Sequence, residues 1–261
     1  MKLLPRQRRL RLAIKRFLYS QLHLRDSFLL MLGRTKPLVQ FKVEASPPSI
    51  YFNFELEPAR VPELERQLDL PFPLTRIRCL ASDEAFHCLT LNIYRVSGLA
   101  NGIRAEWSLY IEDAHGIPRY LVVEAQADAG SIDSVNLITR AGEITHVQDG
   151  ERLDSMVLAA DGGRFRSSCR ALGNGAAVDI APEWIEANDY IYWLSGICDR
   201  TFYDSGLANP KVRLLDPAHV EIEDTTRWGA LVMPEPRSVV VYDDAIEFAI
   251  SPWWNLDEMK D

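Results

Sequence analysis

The sequence predicts a mainly β protein with a few helices, built as an antiparallel barrel or sandwich and preceded by a basic helical arm. Three observations support this prediction. Short runs rich in Ile, Val, Tyr, Phe and Thr recur from Ser49 onward, and several of them alternate apolar with polar residues. Turn signals containing Gly, Pro and Asn separate the runs. The first 36 residues differ from the rest of the chain in charge and in hydrophobic period.

The predicted strands are short and frequently interrupted, which is typical of antiparallel sheets and not of a parallel α/β sheet. Two helices are expected among them, one at Val61–Leu68 with Pro62 in its first turn, and one at about residues 182–195. Residues 40–261 are therefore predicted to form one β-rich domain. The predicted strands are residues 49–56, 74–80, 87–95, 103–112, 120–126, 143–148, 164–170, 212–215, 219–223 and 237–242.

The charge of the chain is divided between two parts. Of 29 basic and 37 acidic residues, ten basic residues and one acidic residue, Asp26, lie in residues 1–36, which gives that segment a charge of +9. The remaining 19 basic and 36 acidic residues give the body a charge of −17. A nucleic-acid-binding domain needs a strongly basic face, and a body with this excess of acidic residues cannot supply one. We therefore expect no nucleic acid partner.

Residues 1–36 have the pattern of a basic amphipathic helical arm. At about 100° per residue, Leu10, Ile14 and Phe17 fall on one side, opposite basic residues such as Lys15. Two interpretations stay open: the arm contacts an anionic membrane surface, or its apolar stripe packs on the body or on a sister subunit of a homo-oligomer. No apolar run is long enough to span a bilayer. We expect a cytoplasmic protein, with or without this peripheral membrane contact.

Sequence motifs for metals, cofactors and nucleophilic catalysis are absent. The chain contains no GxGxxG, GxxxxGKS/T, GxSxG or HExxH motif. Its five histidines are scattered, with no two at ligand spacing, and its four cysteines form no CxxC pair. We therefore expect no metal and no cofactor, and free thiols in a reducing compartment. The cysteines are Cys79, Cys88, Cys169 and Cys198.

The most informative stretch is residues 101–124, which predicts a strand, a tight turn and a returning strand that ends in a carboxylate. Arg104 and Glu106 share one face of the first strand, and on the second strand strict alternation puts Tyr120 and Glu124 on a common face. Such a polar face is either exposed to solvent or lines a barrel interior, where the acids and the arginine would bind and polarise an anionic substrate. The pattern alone favours the exposed face.

This stretch resembles the acetoacetate decarboxylase superfamily. The run Asn-Gly-Ile-Arg-Ala-Glu at residues 101–106 is similar to the family's Asn-Gly turn and the strand after it, and Glu124 falls on the family's glutamate. The resemblance extends over most of residues 49–233. It implies an antiparallel β-cone or barrel of the acetoacetate decarboxylase type, closed around a pocket, for residues 40–261.

The chain departs from the family at the lysine that forms a Schiff base with a β-keto acid. The resemblance puts a lysine pair six and seven residues past the glutamate, where this chain has Gly130 and Ser131. No lysine lies between Lys42 and Lys211. Lys211, at the start of a predicted strand, is the remaining candidate to replace it. We expect that the chain is not a Schiff-base decarboxylase.

The first functional hypothesis is a lysine-independent lyase, aldolase or hydratase-type enzyme that acts on a small oxo-acid or related carbonyl compound. Glu124 or Glu106 would be the general acid and base, and Arg104 would bind the carboxylate or carbonyl of the ligand. The expected substrate-binding residues are Tyr94, Tyr120 and Trp107.

The second hypothesis is a non-catalytic binding module. Its pocket would hold an apolar or amphipathic ligand, and the arm would keep the protein at a membrane or in an oligomer. The missing lysine and the charge of the arm favour this interpretation. Trp253 and Trp254, near the end of the chain, suit packing or subunit contacts.

Overall fold

The structure, a computed structural model, describes most of the body of the chain. The described residues are 41–70, 72–98, 102–113, 116–128, 140–141, 143–159, 161–188, 190–194, 198–205 and 212–251. The predicted arm, residues 1–36, lies outside them, as do Gly130, Ser131 and Lys211 and the tryptophan pair at residues 253–254.

The prediction of a mainly β protein with a few helices is confirmed. Strands outnumber helices throughout the described part of the chain. The strands are β1 Phe41–Glu55, β2 Arg76–Ile77, β3 Phe86–Gly98, β4 Gly102–Glu112, β5 Pro118–Ala127, β6 Arg140–Ala141, β7 Ile144–Asp149, β8 Arg152–Leu158, β9 Arg164–Cys169, β10 Ala176–Val178, β11 Tyr190–Leu194, β12 Cys198–Ser205, β13 Val212–Leu214, β14 Val220–Asp224, β15 Ser238–Tyr242 and β16 Ile246–Ser251. The helices are α1 Val61–Leu68 and α2 Pro182–Asn188.

One helix was predicted correctly and the other only in its first half. The bounds of α1 agree with the sequence, and α1 buries Val61 and Leu64. The prediction of a helix at residues 182–195 is wrong beyond α2, because β11 follows immediately and pairs with β5 and β12. The cause is composition, since the segment of β11 is a run of aromatic and β-branched residues that favours a strand.

The larger of the two sheets has twelve strands and closes on itself. Its order is β10-β13-β15-β1-β16-β12-β11-β5-β4-β3-β2, and an additional pairing of β1 with β3 completes a ring from β1 through β16, β12, β11, β5, β4 and β3. All of these pairs are antiparallel except β5 with β11, and β6 is a further parallel neighbour of β5. The long β1 pairs with β16 through its first half and with β15 through its second half.

The second sheet has four strands, in the order β14-β9-β8-β7, and covers one face of the ring. Phe165 of β9 packs edge-on against Phe52 of β1 at 5.1 Å between ring centroids. We call the covered face the outer face; among its side chains are Phe52, Leu91, Trp107 and Leu121. The opposite side of the strands is the inner face, which carries a second cluster that includes Tyr51, Cys88, Tyr94, Tyr110 and Tyr120.

Both faces of the central strands are therefore removed from water. In β4 every residue from Ile103 to Ile111 is buried, and in β5 every residue from Arg119 to Ala127 is buried. A sheet covered on one side only would alternate buried with exposed residues. Polar side chains on these two strands consequently have to find partners within the protein.

Neither helix in the part of the chain that the structure describes is long and apolar enough to cross a membrane.

His146 connects the two sheets. Its ring is buried, with Nδ1 2.8 Å from Ser155 Oγ on the neighbouring strand and Nε2 2.8 Å from the carbonyl oxygen of Pro48 in β1. Arg95 donates a hydrogen bond to the backbone carbonyl of His146 and is the charged group that faces it. Burial lowers the pKa of His146 by more than the hydrogen bond with the Pro48 carbonyl raises it, and the positive charge of Arg95 lowers it further.

This contact predicts a loss of stability in mild acid. The unfolded chain binds a proton at His146 more tightly than the native chain does, so the stabilisation is complete above pH of about 6.5 and is lost as the pH falls below it. One group can contribute at most about 1.4 kcal/mol per pH unit to this slope. Urea unfolding between pH 8 and pH 5 measures it, and H146Q should flatten the profile. H219Q, at an exposed histidine, is the control; equal slopes for H146Q and the native chain would contradict the prediction.

Candidate active site

An ion pair lies on the inner face of β4. Arg104 Nη2 is 2.9 Å from Glu106 Oε1, and the two residues are 5% and 4% exposed. They share this face because β4 alternates, with Ala105 and Trp107 on the outer face. The favoured expectation of a solvent-exposed polar face is wrong, since the ring and the second sheet cover both sides of the strand. The other interpretation from the sequence, a polar lining of the barrel interior, agrees with the position of the Arg104–Glu106 pair.

Tyrosine and asparagine side chains surround the ion pair. Across the β3–β4 ladder, Asn92 lies opposite Glu106 and Tyr94 lies opposite Arg104. The hydroxyl of Tyr120 donates to Asn92 Oδ1 at 3.5 Å, and Tyr51 lies opposite Asn92 in the β1–β3 ladder. The structure thus brings together four of the predicted site residues: Arg104, Glu106, Tyr94 and Tyr120.

A hydrogen-bonded row continues the polar lining along the same face. Thr90 Oγ1 donates to Asn53 Oδ1 at 2.9 Å, and Asn53 Nδ2 donates to Ser238 Oγ at 3.0 Å. The hydroxyl of Tyr110, 3.0 Å from Thr90 Oγ1, is then the donor in that contact, because the Thr90 proton is already in use. Cys88 Sγ lies 3.5 Å from the same oxygen. This row connects four strands: β1, β3, β4 and β15.

Three tyrosine hydroxyls of the inner face, those of Tyr51, Tyr110 and Tyr242, stay protonated at neutral pH. Burial raises the pKa of Tyr51, Tyr110 and Tyr242 above the ordinary range. These groups can donate hydrogen bonds but carry no charge. Among the buried charged residues that the structure describes, Arg104 and Glu106 are the two on this face.

Glu124 lies on the outer face, contrary to the expectation that it shares a face with Tyr120. In the β4–β5 ladder, Val122 pairs with Ser108 and Glu124 pairs with Trp107, so Val123 has no counterpart on β4. One extra residue in a strand is a β-bulge, and it reverses the alternation beyond that point. The predicted substrate-binding residue Trp107 also lies on the outer face, away from the ion pair.

On the outer face, Glu124 is held by three donors. Trp228 Nε1 and Arg227 Nη2 donate to its Oε2 at 2.9 and 3.1 Å, and Gln126 Nε2 donates to its Oε1 at 2.8 Å. The guanidinium of Arg227 also lies 4.4 Å from the centroid of the Trp228 ring. Glu124 therefore fastens the segment after β14 to the back of β5, and it belongs to a different environment from Glu106.

Sequence reasoning missed part of the lining of the inner face. The signal was present in the alternation of two predicted strands, residues 49–56 and 87–95, because every second residue of each lies on the ion-pair face. Because β3 pairs with β4 and β1 pairs with β3 in the ring, the alternation of these strands places the polar residues beside the ion pair. The missed residues are Tyr51, Asn53, Thr90 and Asn92.

Within the described residues, no group of three or more His, Cys, Asp and Glu side chains is arranged to hold a metal ion. The inner face instead offers one carboxylate, one guanidinium and several neutral hydrogen-bond donors. This set can bind a carbonyl or carboxylate oxygen and transfer a proton to or from a neighbouring carbon.

Comparison with known proteins finds its matches among solved structures. No protein-family model and no curated protein sequence matches the chain. An acetoacetate decarboxylase from Legionella pneumophila superimposes with a TM-score of 0.54 at 9% identity, covering 84% of this chain and 90% of that one. The chain has the acetoacetate decarboxylase fold. A second acetoacetate decarboxylase structure agrees, with a TM-score of 0.51 at 13% identity over 82% of this chain and 87% of that one.

The acetoacetate decarboxylase fold of this chain should depend on the anchor at Glu124. E124Q keeps the size of the side chain but removes the charge that Arg227 contacts and presents an amide where Gln126 donates. We expect the free energy of unfolding to fall by about 1–3 kcal/mol. Urea denaturation measures the change. E221Q, at an exposed glutamate paired with Arg170, is the control and should stay within about 0.5 kcal/mol. An E124Q protein as stable as E221Q would contradict the anchor.

Proposed function

We propose that the chain is a lysine-independent enzyme of lyase, aldolase or hydratase type that acts on a small oxo-acid or related carbonyl compound. The site is the inner face of the acetoacetate decarboxylase fold. The observation that carries the proposal is the buried Arg104–Glu106 pair, 2.9 Å apart, among the side chains of Asn92, Tyr94 and Tyr120. A buried carboxylate with a cation and neutral donors around it suits proton transfer next to a carbonyl group.

In this mechanism Glu106 is the general base. Its carboxylate takes a proton from the carbon next to the carbonyl, and the electron pair of the broken C–H bond forms a C=C bond as negative charge moves to the carbonyl oxygen. Arg104 and the hydroxyls of Tyr94 and Tyr120 would stabilise that oxygen. The guanidinium has five N–H donors, so it can contact Glu106 and a ligand oxygen together. In an aldol addition the electron pair of the C=C bond then forms a bond to the carbonyl carbon of a second molecule, the π pair of that carbonyl moves to its oxygen, and Glu106 gives the proton to this oxygen. Without a second carbonyl compound the proton returns to the same carbon, and in D2O this cycle is observed as exchange.

Glu106 is preferred to Glu124 as the acid and base. Glu124 lies across the sheet, and its two oxygens already accept three hydrogen bonds. Its proposed role is to position β5, on which Tyr120 stands, and not to contact the ligand. Trp107, also on the outer face, would support β4 in the same way.

Exchange of carbon-bound protons tests the proposed base. Pyruvate or acetone is incubated with the protein in D2O, and loss of the methyl signal is followed by proton NMR. The protein should accelerate exchange for at least one of them, and E106Q should slow this exchange by about 100-fold or more, because a positioned base contributes about that factor. E221Q is the matched control. Exchange that survives in E106Q and is lost in E124Q would move the base to the outer face.

The absence of a Schiff base is a separate prediction. No lysine lies between Lys42 and Lys211, so the chain offers no amine along the strands β2 to β12. Treatment with acetoacetate and borohydride should leave the mass of the protein unchanged, because borohydride traps only an imine formed on an amine. A reduced adduct on Lys211 or Lys42 would contradict lysine-independent chemistry.

A second candidate is the non-catalytic binding module. The observation in its favour is that Arg104 already neutralises Glu106 in the free protein. Saturable binding of a carbonyl compound without proton exchange would select this function. The membrane and oligomer contacts predicted for residues 1–36 concern a segment outside the described residues.

A further inference from the structure

The described residues supply no hydrogen-bond partner to the side-chain donors of Ser108 and Trp184, both on the inner face. They are Ser108 Oγ and Trp184 Nε1, in residues that are 0% and 2% exposed. A buried donor without an acceptor is costly, and native proteins satisfy nearly all such groups with protein atoms, water or a ligand. Both atoms can donate a hydrogen bond, so an acceptor on a bound molecule would satisfy them.

Both atoms belong to the lining around the ion pair. Ser108 stands between Glu106 and Tyr110 on the inner face of β4. Trp184 of α2 meets the ring of Tyr51 edge-on, with centroids 5.8 Å apart. In the strand ladders Tyr51 lies opposite Asn92, and Asn92 lies opposite Glu106. Trp184 therefore belongs to the same buried inner-face cluster and approaches the ion pair from the side of Tyr51.

The charges of this site are already balanced. Arg104 is the buried cation of the inner face in the described chain, and Glu106 is its ion-pair partner. The neighbouring tyrosines are neutral donors. A carboxylate ligand would add a second buried anion that has to share one guanidinium with Glu106, and an uncompensated buried charge is strongly unfavourable. An uncharged ligand avoids this cost and still offers oxygen acceptors.

We infer that the ligand of this site is an uncharged carbonyl compound whose oxygen atoms accept hydrogen bonds from Ser108 Oγ and Trp184 Nε1. The inference rests on the proposed function and narrows its substrate class: the compound is a ketone, diketone or ester and not the oxo-acid anion. Ser108 and Trp184 are then the residues that recognise it, while Glu106 and Arg104 carry out the proton transfer.

Methyl acetoacetate and acetoacetate form a matched pair of probes, because they share a carbon skeleton and differ in charge. Their binding to the full chain is measured by calorimetry at pH 7. We expect methyl acetoacetate to bind at least about tenfold more tightly than acetoacetate. S108A and W184F should each weaken its binding by about fivefold or more, since each removes one hydrogen bond to the ligand.

The melting temperatures of the variants show whether each of them is folded. S108A removes no hydrogen bond within the free protein, so its melting temperature should stay close to that of the native chain. W184F leaves a cavity in the inner-face cluster, so its melting temperature should fall, and its binding is measured well below that temperature. S167A is the matched control, because Ser167 Oγ is likewise buried without a described partner but lies in the four-stranded sheet; it should bind methyl acetoacetate like the native chain.

The outcomes separate this inference from the proposed function. Acetoacetate binding as tightly as methyl acetoacetate would overturn the uncharged ligand and leave the enzyme proposal intact. Methyl acetoacetate binding that S108A and W184F do not weaken would overturn the two donors. Binding of neither probe would overturn the inference, and the Glu106-dependent exchange in D2O would then decide the proposed function by itself.

Discussion

The constraint on which the structure depends is that β4 and β5 are buried on both faces. Every buried charged side chain on these strands has to be paired inside the protein, since an isolated buried charge is strongly unfavourable. Glu106 meets this requirement with Arg104 on the inner face, and Glu124 meets it with Arg227 and Trp228 on the outer face. The same covering of the sheet therefore creates both carboxylate environments.

The bulge at Val123 decides which carboxylate belongs to which environment. Without the extra residue, Glu124 would point to the inner face, where the one described buried cation is already paired with Glu106. Two carboxylates that face one guanidinium would repel each other, and this repulsion would raise the pKa of one of the two carboxyl groups. With the bulge, Glu106 is the one carboxylate among the neutral donors of the inner face, where it is the candidate acid and base. Glu124 anchors the segment that contains Trp228. A single inserted residue thus separates a candidate catalytic group from a structural one.

The sequence predicts the class of the fold, the bounds of α1 and the shared face of Arg104 and Glu106, because each follows from local periodicity. It does not predict the bulge, since Val122 and Val123 are both apolar and either fits a buried strand. It also fails to indicate burial on both faces, because a polar residue such as Glu106 at every second position is equally typical of a solvent-exposed face. That distinction depends on the second sheet, which pairs residues far apart in the chain.

A crystal structure of the full chain grown with methyl acetoacetate would show whether the ligand site is the inner face. We expect ligand density on the inner face beside Glu106, with ligand oxygens within hydrogen-bonding distance of Ser108 Oγ and Trp184 Nε1, and Glu124 unchanged against Trp228. Ligand density beside Glu124 on the outer face, or an inner face closed to the ligand, would contradict it.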